Sequence, residues 1–408
     1  MNCRHCFKPL QHTFLDLGFA PPSNAYLSES ELSAPEIYFP LKLKVCDSCW
    51  LVQTEDYAQA DLFFSKDYAY FSSTSTGWLA HAAAYSKSMI ERLALGSDSF
   101  VIEVASNDGY LLKNFVAAGV PCLGIEPTAS TAAAAEQLGI PVLREFFGQA
   151  LGNRLAEEGR QADLIAGNNV FAHVPNINDF TLGLKAALKS SGTITLEFPH
   201  LKQLIEHTQF DTVYHEHFSY LSLYTVERIF ASAGLRVYDV EELPTHGGSL
   251  RIFGCHLQDE RENSSNVERV LTDEQLFGLQ SLSVYRDFQQ RADEVKNGLI
   301  SFLIEQKRAG KQVVAYGAAA KGNTLLNYAG IKPDLLSYVC DAAPSKQGKF
   351  LPGSHIPIYA PHKLMQTQPD VVVVLPWNIA QEVLEQNCDI RENGTEFVVA
   401  VPAMRSLS

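Results

Sequence analysis

The sequence predicts an α/β protein in three parts: a small cysteine-bearing N-terminal module, a central doubly wound Rossmann-like domain and a second Rossmann-like domain at the C-terminus. Three observations predict it. Two CxxC pairs, Cys3/Cys6 and Cys46/Cys49, bracket an irregular, proline-containing opening. Short apolar runs then alternate with helical periodicity, as in βα units wound around a parallel sheet. A second pattern of the same kind begins at Gln312. The expected units are 1–66, 67–240 and 241–408.

The bulk numbers narrow the function classes. Among 408 residues, 46 acidic side chains outnumber 32 Lys plus Arg, for a formal charge of −14. That argues against a broad nucleic-acid surface, though not against a small anion in a local pocket. No apolar run approaches the roughly 20 residues that span a bilayer, so no membrane partner is expected. The opening MNCRHCFKPL has no apolar signal core, so the expected location is the cytoplasm. A monomer or weak homo-oligomer is expected.

In the first module, two CxxC knuckles can supply four thiolates to one tetrahedral zinc. Unligated thiols are the alternative. Four sulfur ligands leave no open position for water, so Cys3, Cys6, Cys46 and Cys49 predict a structural ion. Cys122, Cys255, Cys340 and Cys388 are scattered singles and read as small buried hydrophobes.

In the second part, Trp78 to Leu95 has helical periodicity. FVIEVA (Phe100 to Ala105) reads as a buried strand, followed by SNDG and a helix from Tyr110 to Ala118. PCLGIE, ADLIAG and TITLEF supply further strands, with another βα unit beginning at Ile140. Ligands in such sheets sit beyond the carboxyl ends of the strands. The first of those edges, EVASNDGYLL, lacks the GxGxxG of dinucleotide binders. Methyltransferases use this edge for S-adenosylmethionine, with an acid at the end of the second strand accepting the ribose hydroxyls. Glu126 in GIEPT stands at that place, and a carboxylate offers two acceptor oxygens to a diol. An ordinary strand-end acid is the alternative. The expected cofactor set is Glu103, Ala105, Asn107, Asp108, Gly109, Glu126, Asn168 and Asn169. Asn107 and Asp108 stand where many methyltransferases have glycine.

In the third part, SLRIFGCHL reads as a strand, a long helical stretch runs from about 273 to 309, and QVVAYGAAAKGN opens a second α/β pattern. Its small-residue turn lets backbone approach a ligand closely. Lys321 would add positive charge there and Asn323 a neutral donor. A tight packing turn is the alternative.

The stretch VYHEHFSYL (Val213 to Leu221) is dense in titratable groups. In an extended segment Tyr214 and Glu216 would share one side, and His215 and His217 the other. Two His around a Glu is not the HExxH of zincins, so a catalytic metal is not expected.

Taken in order, CRHC…CDSC, KDYAYFSSTS, EVASNDGYLL, GIEPT, NNVFAHVP, VYHEHFSYLSL, HGGSLR and YGAAAKGN make the whole chain resemble the bacterial nucleotide-sugar C-methyltransferases. The resemblance implies a zinc-binding N-terminal domain, a central S-adenosylmethionine domain and a C-terminal domain that helps hold a sugar nucleotide. It implies deprotonation at C3 of a dTDP-linked 4-keto-6-deoxysugar, then methyl transfer to that carbon. It assigns His217 as base, with Tyr214 and Glu216 fixing sugar and enolate, so VYHEHFSYL should be a turned loop rather than a regular strand. It adds His173 and Tyr68 to the catalytic set. It places Tyr70, His215, His246, Arg251, Lys321 and Asn323 on the substrate. For His215 a core role, and for Arg251 a structural ion pair, are the alternatives. The rival functions are an O- or N-methyltransferase of another small metabolite and a non-catalytic zinc-bearing binding protein.

Overall fold

The computed structural model describes residues 1–55 and 71–407. Tyr68 and Tyr70 lie outside the described residues.

The chain opens with three strands, β1 (His12–Ala20), β2 (Phe39–Val45) and β3 (Val52–Thr54). It continues with β4 (Val101–Val104), β5 (Cys122–Ile125), β6 (Val142–Leu143), β7 (Ala162–Asn168) and β8 (Leu188–Pro199). The short β9 (Ser219–Tyr220) precedes β10 (Leu235–Leu243) and β11 (Ser249–His256). The last part holds β12 (Val313–Tyr316), β13 (Val339–Cys340), β14 (Ile358–Tyr359), β15 (Val371–Val374), β16 (Glu396–Val399) and β17 (Arg405–Ser406).

The central sheet has the order β10-β11-β8-β7-β4-β5-β6. Strands β4 to β8 are parallel neighbours, and β11 runs antiparallel between β8 and β10. The chain enters at β4, winds out to β6 and returns to β7. That reversal opens a crevice beyond the carboxyl ends of β4 and β7. The strand VIEV is buried at all four positions, as a parallel strand covered on both faces must be. The β10–β11 pairing runs from Leu235↔His256 to Leu243↔Ser249 with one register shift between Val237 and Asp239, so a unit boundary between 240 and 241 falls inside β10.

The C-terminal sheet repeats this plan in the order β14-β13-β12-β15-β16-β17, with its own reversal between β12 and β15. The helical stretch expected from 273 to 309 is three helices, Ser265–Phe277, Ser283–Arg286 and α1 (Phe288–Arg308). Gly278, at φ +95°, ends the first, because a left-handed cap suits glycine. Helix α1 buries Phe288, Ala292, Val295, Leu299 and Leu303, an apolar stripe at helical spacing.

The N-terminal sheet is β1-β2-β3-β9. Its fourth strand comes from the central part of the chain: Ser219 pairs with Gln53 and Tyr220 with Val52. Its other face is not independent either. Phe14 stacks on Phe288 at 4.7 Å and meets Tyr285 edge-on at 5.3 Å. It shares one apolar cluster with Leu43, Val313 and Val371. Burying a side chain such as Phe14 stabilises by ~1.5–3 kcal/mol, so the small module and the C-terminal sheet hold each other. Among the described residues, no helix is long and apolar enough to cross a membrane.

Candidate active site and zinc site

The four N-terminal sulfurs meet although the two pairs are far apart in sequence. Cys3 Sγ lies 3.5 Å from Cys49 Sγ, and Cys6 Sγ lies 3.5 Å from Cys46 Sγ. All four fall within 4.8 Å of one another. A tetrahedral zinc with Zn–S bonds near 2.3 Å sets its sulfurs ~3.8 Å apart, so the cluster fits the ion. Gln53 Nε2 donates to Cys3 Sγ at 3.2 Å, an outer hydrogen bond of the kind that orients ligands.

A cleft of about 610 Å³ lies at the central sheet's crevice. Ala105, Asn107, Glu126, Asn168 and Asn169 line one end. Ala105 (φ +58°), Asn107 (φ +48°), Asn169 (φ +53°) and His246 (φ +55°) are all left-handed, and all four line this cleft. Non-glycine residues hold such angles at a cost and cluster at functional sites. Asn tolerates the region better than most, which is how Asn107 fills a place usually taken by glycine. Glu126 Oε2 accepts the Asn107 N–H at 3.0 Å and Oε1 accepts the Thr128 N–H at 2.8 Å. Two amides fix the carboxylate, and each oxygen keeps a lone pair for a diol. The Asn168 side chain is buried, and neither of its polar atoms has a hydrogen-bond partner among the described residues. A buried amide left unmatched costs ~1–3 kcal/mol, so the cleft has a place for a ligand's polar group. Trp78, Tyr110, Phe146 and Phe147 add aromatic wall. These features fit S-adenosylmethionine.

Tyr214, Glu216, His217 and His173 line the same cleft. The 213–218 segment is a turn, closed by the His217 N–H donating to the Tyr214 carbonyl at 3.0 Å. The turn defeats the two-sided alternation of a strand and brings Tyr214, Glu216 and His217 together. It leaves His215 on the other side, where Nε2 donates to the Phe39 carbonyl at 3.3 Å. His217 Nδ1 lies 3.1 Å from the Thr212 carbonyl, and Nε2 lies 2.8 Å from the Tyr214 hydroxyl. A carbonyl can only accept, so Nδ1 carries the hydrogen and Nε2 presents its lone pair. Burial, reinforced by His173 at 4.5 Å between ring centroids, holds the His217 pKa well below its ordinary value. His173 is likewise lowered to about 4 by burial. Both rings are neutral at physiological pH. Glu216 is pushed up to about 7 by burial, opposed by the Asn24 side chain.

His246 and Lys321 complete the far wall, with Asn24, Tyr26 and Lys346, which carry no sequence motif that would select them. Asn169 Nδ2 donates to His246 Nε2 at 2.8 Å. Lys321 Nζ donates to Asn378 Oδ1 at 2.6 Å and lies 4.6 Å over the Trp377 ring. Lys346 Nζ donates to the Ala318 carbonyl at 2.9 Å.

Six of the residues expected at the site do not line the cleft. Glu103 is fully buried within β4, where burial pushes its pKa well up. Asp108 Oδ2 accepts the Ser73 N–H at 3.1 Å, while its buried Oδ1 has no partner among the described residues. Gly109 is a packing turn: at φ +78°, an added Cβ would sit 2.5 Å from Ile140 Cδ1. His215 is turned away. Arg251 stands opposite both Glu197 and Glu241 across the strands and bonds them at 2.8 and 3.1 Å, so its fork serves a structural ion pair. Asn323 Nδ2 donates to the Ser23 carbonyl at 2.7 Å.

Comparison with known proteins gives the same three parts in order. Residues 3–64 match a zinc binding domain, 78–240 a methyltransferase domain and 244–402 a C-methyltransferase C-terminal domain. The chain is 32% identical to the C-methyltransferase NovU of Streptomyces niveus over 407 residues, which is 100% of this chain and 97% of that one. Among solved structures, the PH0226 protein of Pyrococcus horikoshii OT3 overlies 46% of this chain and 95% of its own, at 12% identity and a TM-score of 0.38. Magnesium protoporphyrin IX methyltransferase of Synechocystis PCC 6803 overlies 44% and 84%, at 13% identity and a TM-score of 0.36. With 97% of NovU matched at 32% identity, the chain belongs to the C-methyltransferase family and is an S-adenosylmethionine-dependent methyltransferase with a four-cysteine zinc site.

Proposed function

We propose that the chain methylates C3 of a nucleoside-diphospho-4-keto-6-deoxysugar, with dTDP as the nucleotide. The observation that carries this reading is the neutral His217–Tyr214 pair in the same cleft as Glu126. Methylating a carbon requires a base at a C–H beside a ketone, and a donor for the enolate oxygen; O- or N-methylation of an existing nucleophile requires neither.

The steps assign each group. His217 Nε2 takes the C3 proton, the C–H electron pair becomes the C3–C4 double bond, and the C4 carbonyl pair moves onto the oxygen. A positioned base typically contributes 10²–10⁴-fold, to order of magnitude. The imidazolium and the enolate form together inside a buried site, where opposite charges attract more strongly than in water, which offsets the low resting basicity of His217. The Tyr214 hydroxyl, released as Nε2 takes the proton, donates to the enolate oxygen. Glu216 orients the sugar. S-adenosylmethionine, when bound, would supply an activated sulfonium methyl to C3 and leave as the neutral thioether, while the enolate pair returns from the C4 oxygen to form the C3–methyl bond. Lys321, and Lys346 in its ion pair with Asp341 at 3.3 Å, put positive groups on the C-terminal wall of an acidic protein, the kind of group a pyrophosphate needs.

The test is incubation with labelled methyl donor and a panel of dTDP-4-keto-6-deoxysugars, read by mass spectrometry with fragmentation. One methyl gained at C3 is expected. Transfer only to oxygen or nitrogen, or to no member of the panel, would overturn the substrate assignment.

A further inference from the structure

Asn24 lies in the turn that follows β1, 192 residues from Glu216 in sequence, and it touches that residue directly. Its Nδ2 lies 2.9 and 2.8 Å from the two Glu216 carboxylate oxygens. The turn is tied down on both sides of Asn24. The Ser23 carbonyl accepts from Asn323 at 2.7 Å, and the Tyr26 hydroxyl donates to the Ala318 carbonyl at 2.6 Å. Both anchors come from the C-terminal half, at the start of helix α2 (Ala320–Tyr328). The same helix holds the VYHEHFSYL turn, since Thr324 Oγ1 donates to the Val213 carbonyl at 2.8 Å. One helix therefore fixes both partners of the Asn24–Glu216 contact.

We infer that Asn24, contributed by the zinc-bearing module, is a positioning residue for methyl transfer that fixes the plane of the Glu216 carboxylate in the cleft and favours its charged form. The inference rests on reading Glu216 as a substrate-facing group. Glu216 is only 2% exposed, and a carboxylate there needs donors to remain charged. The groups facing it have distinct sources. Tyr26 comes from the N-terminal turn, and His173, whose ring hydrogen-bonds the Glu216 backbone carbonyl, comes from beyond β7. Tyr214 and His217 come from its own turn; Lys321 and Lys346 line the same cleft from the C-terminal wall, where Lys346 pairs with Asp341 at 3.3 Å, and Asn24 is the side chain that offsets the burial of Glu216. The Tyr26 phenol and the two neutral histidines bring no positive charge. Asn24 spans both carboxylate oxygens, fixing their plane as well as their charge.

The sign follows from the contact. Burial raises Glu216 to about 7 and Asn24 lowers it, so losing Asn24 raises it further. The measurement is pH-difference infrared spectroscopy of the protonated carboxyl stretch in full-length protein, with the Glu216 band identified by its loss in Glu216→Gln. Asn24→Ala should move the band's midpoint up by about one pH unit. Asn24→Asp, which keeps the shape but adds a like charge, should move it further up. No substrate is needed, so this arm can fail while the sugar assignment stands, and the reverse. In turnover assays with an accepted substrate, Asn24→Ala should add no loss in a Glu216→Gln background. A midpoint that stays put in both Asn24 variants, or a full further loss of activity in the double variant, would overturn the inference.

Discussion

The Tyr214 hydroxyl lies 2.8 Å from His217 Nε2, while the other nitrogen of that ring is fixed by the Thr212 carbonyl at 3.1 Å. The backbone thus sets the tautomer, and the tautomer sets what Tyr214 can do: it donates. Tyr214→Phe removes that donor without emptying the site. Loss of one donor to a developing oxyanion costs ~10²–10³ in kcat, and that loss is expected with cofactor affinity unchanged in calorimetry. An unchanged kcat would take Tyr214 out of the chemistry.

Glu126 is held by the Asn107 and Thr128 amides and lines the cleft. Glu126→Ala should weaken S-adenosylmethionine binding by at least about tenfold, since each hydrogen bond to a charged acceptor is worth ~1.5–3 kcal/mol. Calorimetry showing equal affinity would remove Glu126 from the cofactor's ribose.

Purified protein should carry about one zinc per chain. Cys46→Ser should lose it, together with stability. The knuckle of Cys46 and Cys49 joins β2 to β3, and β3 pairs with β9, which begins two residues after His217. Metal loss should therefore also slow methyl transfer, by up to about 10²-fold if the turn moves by about 1 Å. Metal analysis showing full zinc in a variant with all four cysteines changed to serine would refute the site. Unimpaired turnover in zinc-free protein would refute the link to β9.

Arg251 pairs with Glu197, which is fully buried and also contacts His81 at 2.9 Å. Arg251→Ala should destabilise the fold by about 3–5 kcal/mol, because it strands a buried charge, while leaving dTDP affinity unchanged. Burial alone would raise the Glu197 pKa, but His81 and Arg251 outweigh it and leave it lowered. A folded pKa below the unfolded one contributes stability above the unfolded value, lost as pH falls through the folded one. The cost of Arg251→Ala, measured in denaturant, should accordingly shrink as the pH is taken below the usual carboxylate range. Weakened dTDP binding without destabilisation would make Arg251 a phosphate contact instead.

The parts of this molecule that depend on local pattern were legible in the sequence. The strands of both Rossmann-like sheets are short apolar runs such as VIEV and VVVV, and Glu126 ends its strand where the plan requires an acid. The cysteine cluster was legible because spacing alone specifies a knuckle. What sequence could not show depends on pairings made far along the chain. Arg251 resembled a phosphate ligand until the register of β11 set it opposite Glu197 and Glu241. His215 shares a side with His217 in an extended segment, and only the 214–217 turn shows that it points to the Phe39 carbonyl instead. Asn24 sits in an unremarkable PPSNAY, with its meaning supplied by a carboxylate 192 residues away.

The central claim is that His217 is the base for methylation at carbon. Its most direct test is single-turnover methyl transfer by His217→Asn, with sugar-nucleotide and S-adenosylmethionine affinities measured on the same protein. The asparagine keeps some shape and hydrogen bonding but cannot take a proton at neutral pH. The account predicts nearly normal binding of both ligands and a loss of transfer by about 10²–10⁴-fold. Transfer within about tenfold of wild type, with binding intact, would contradict it and place the base elsewhere in the cleft.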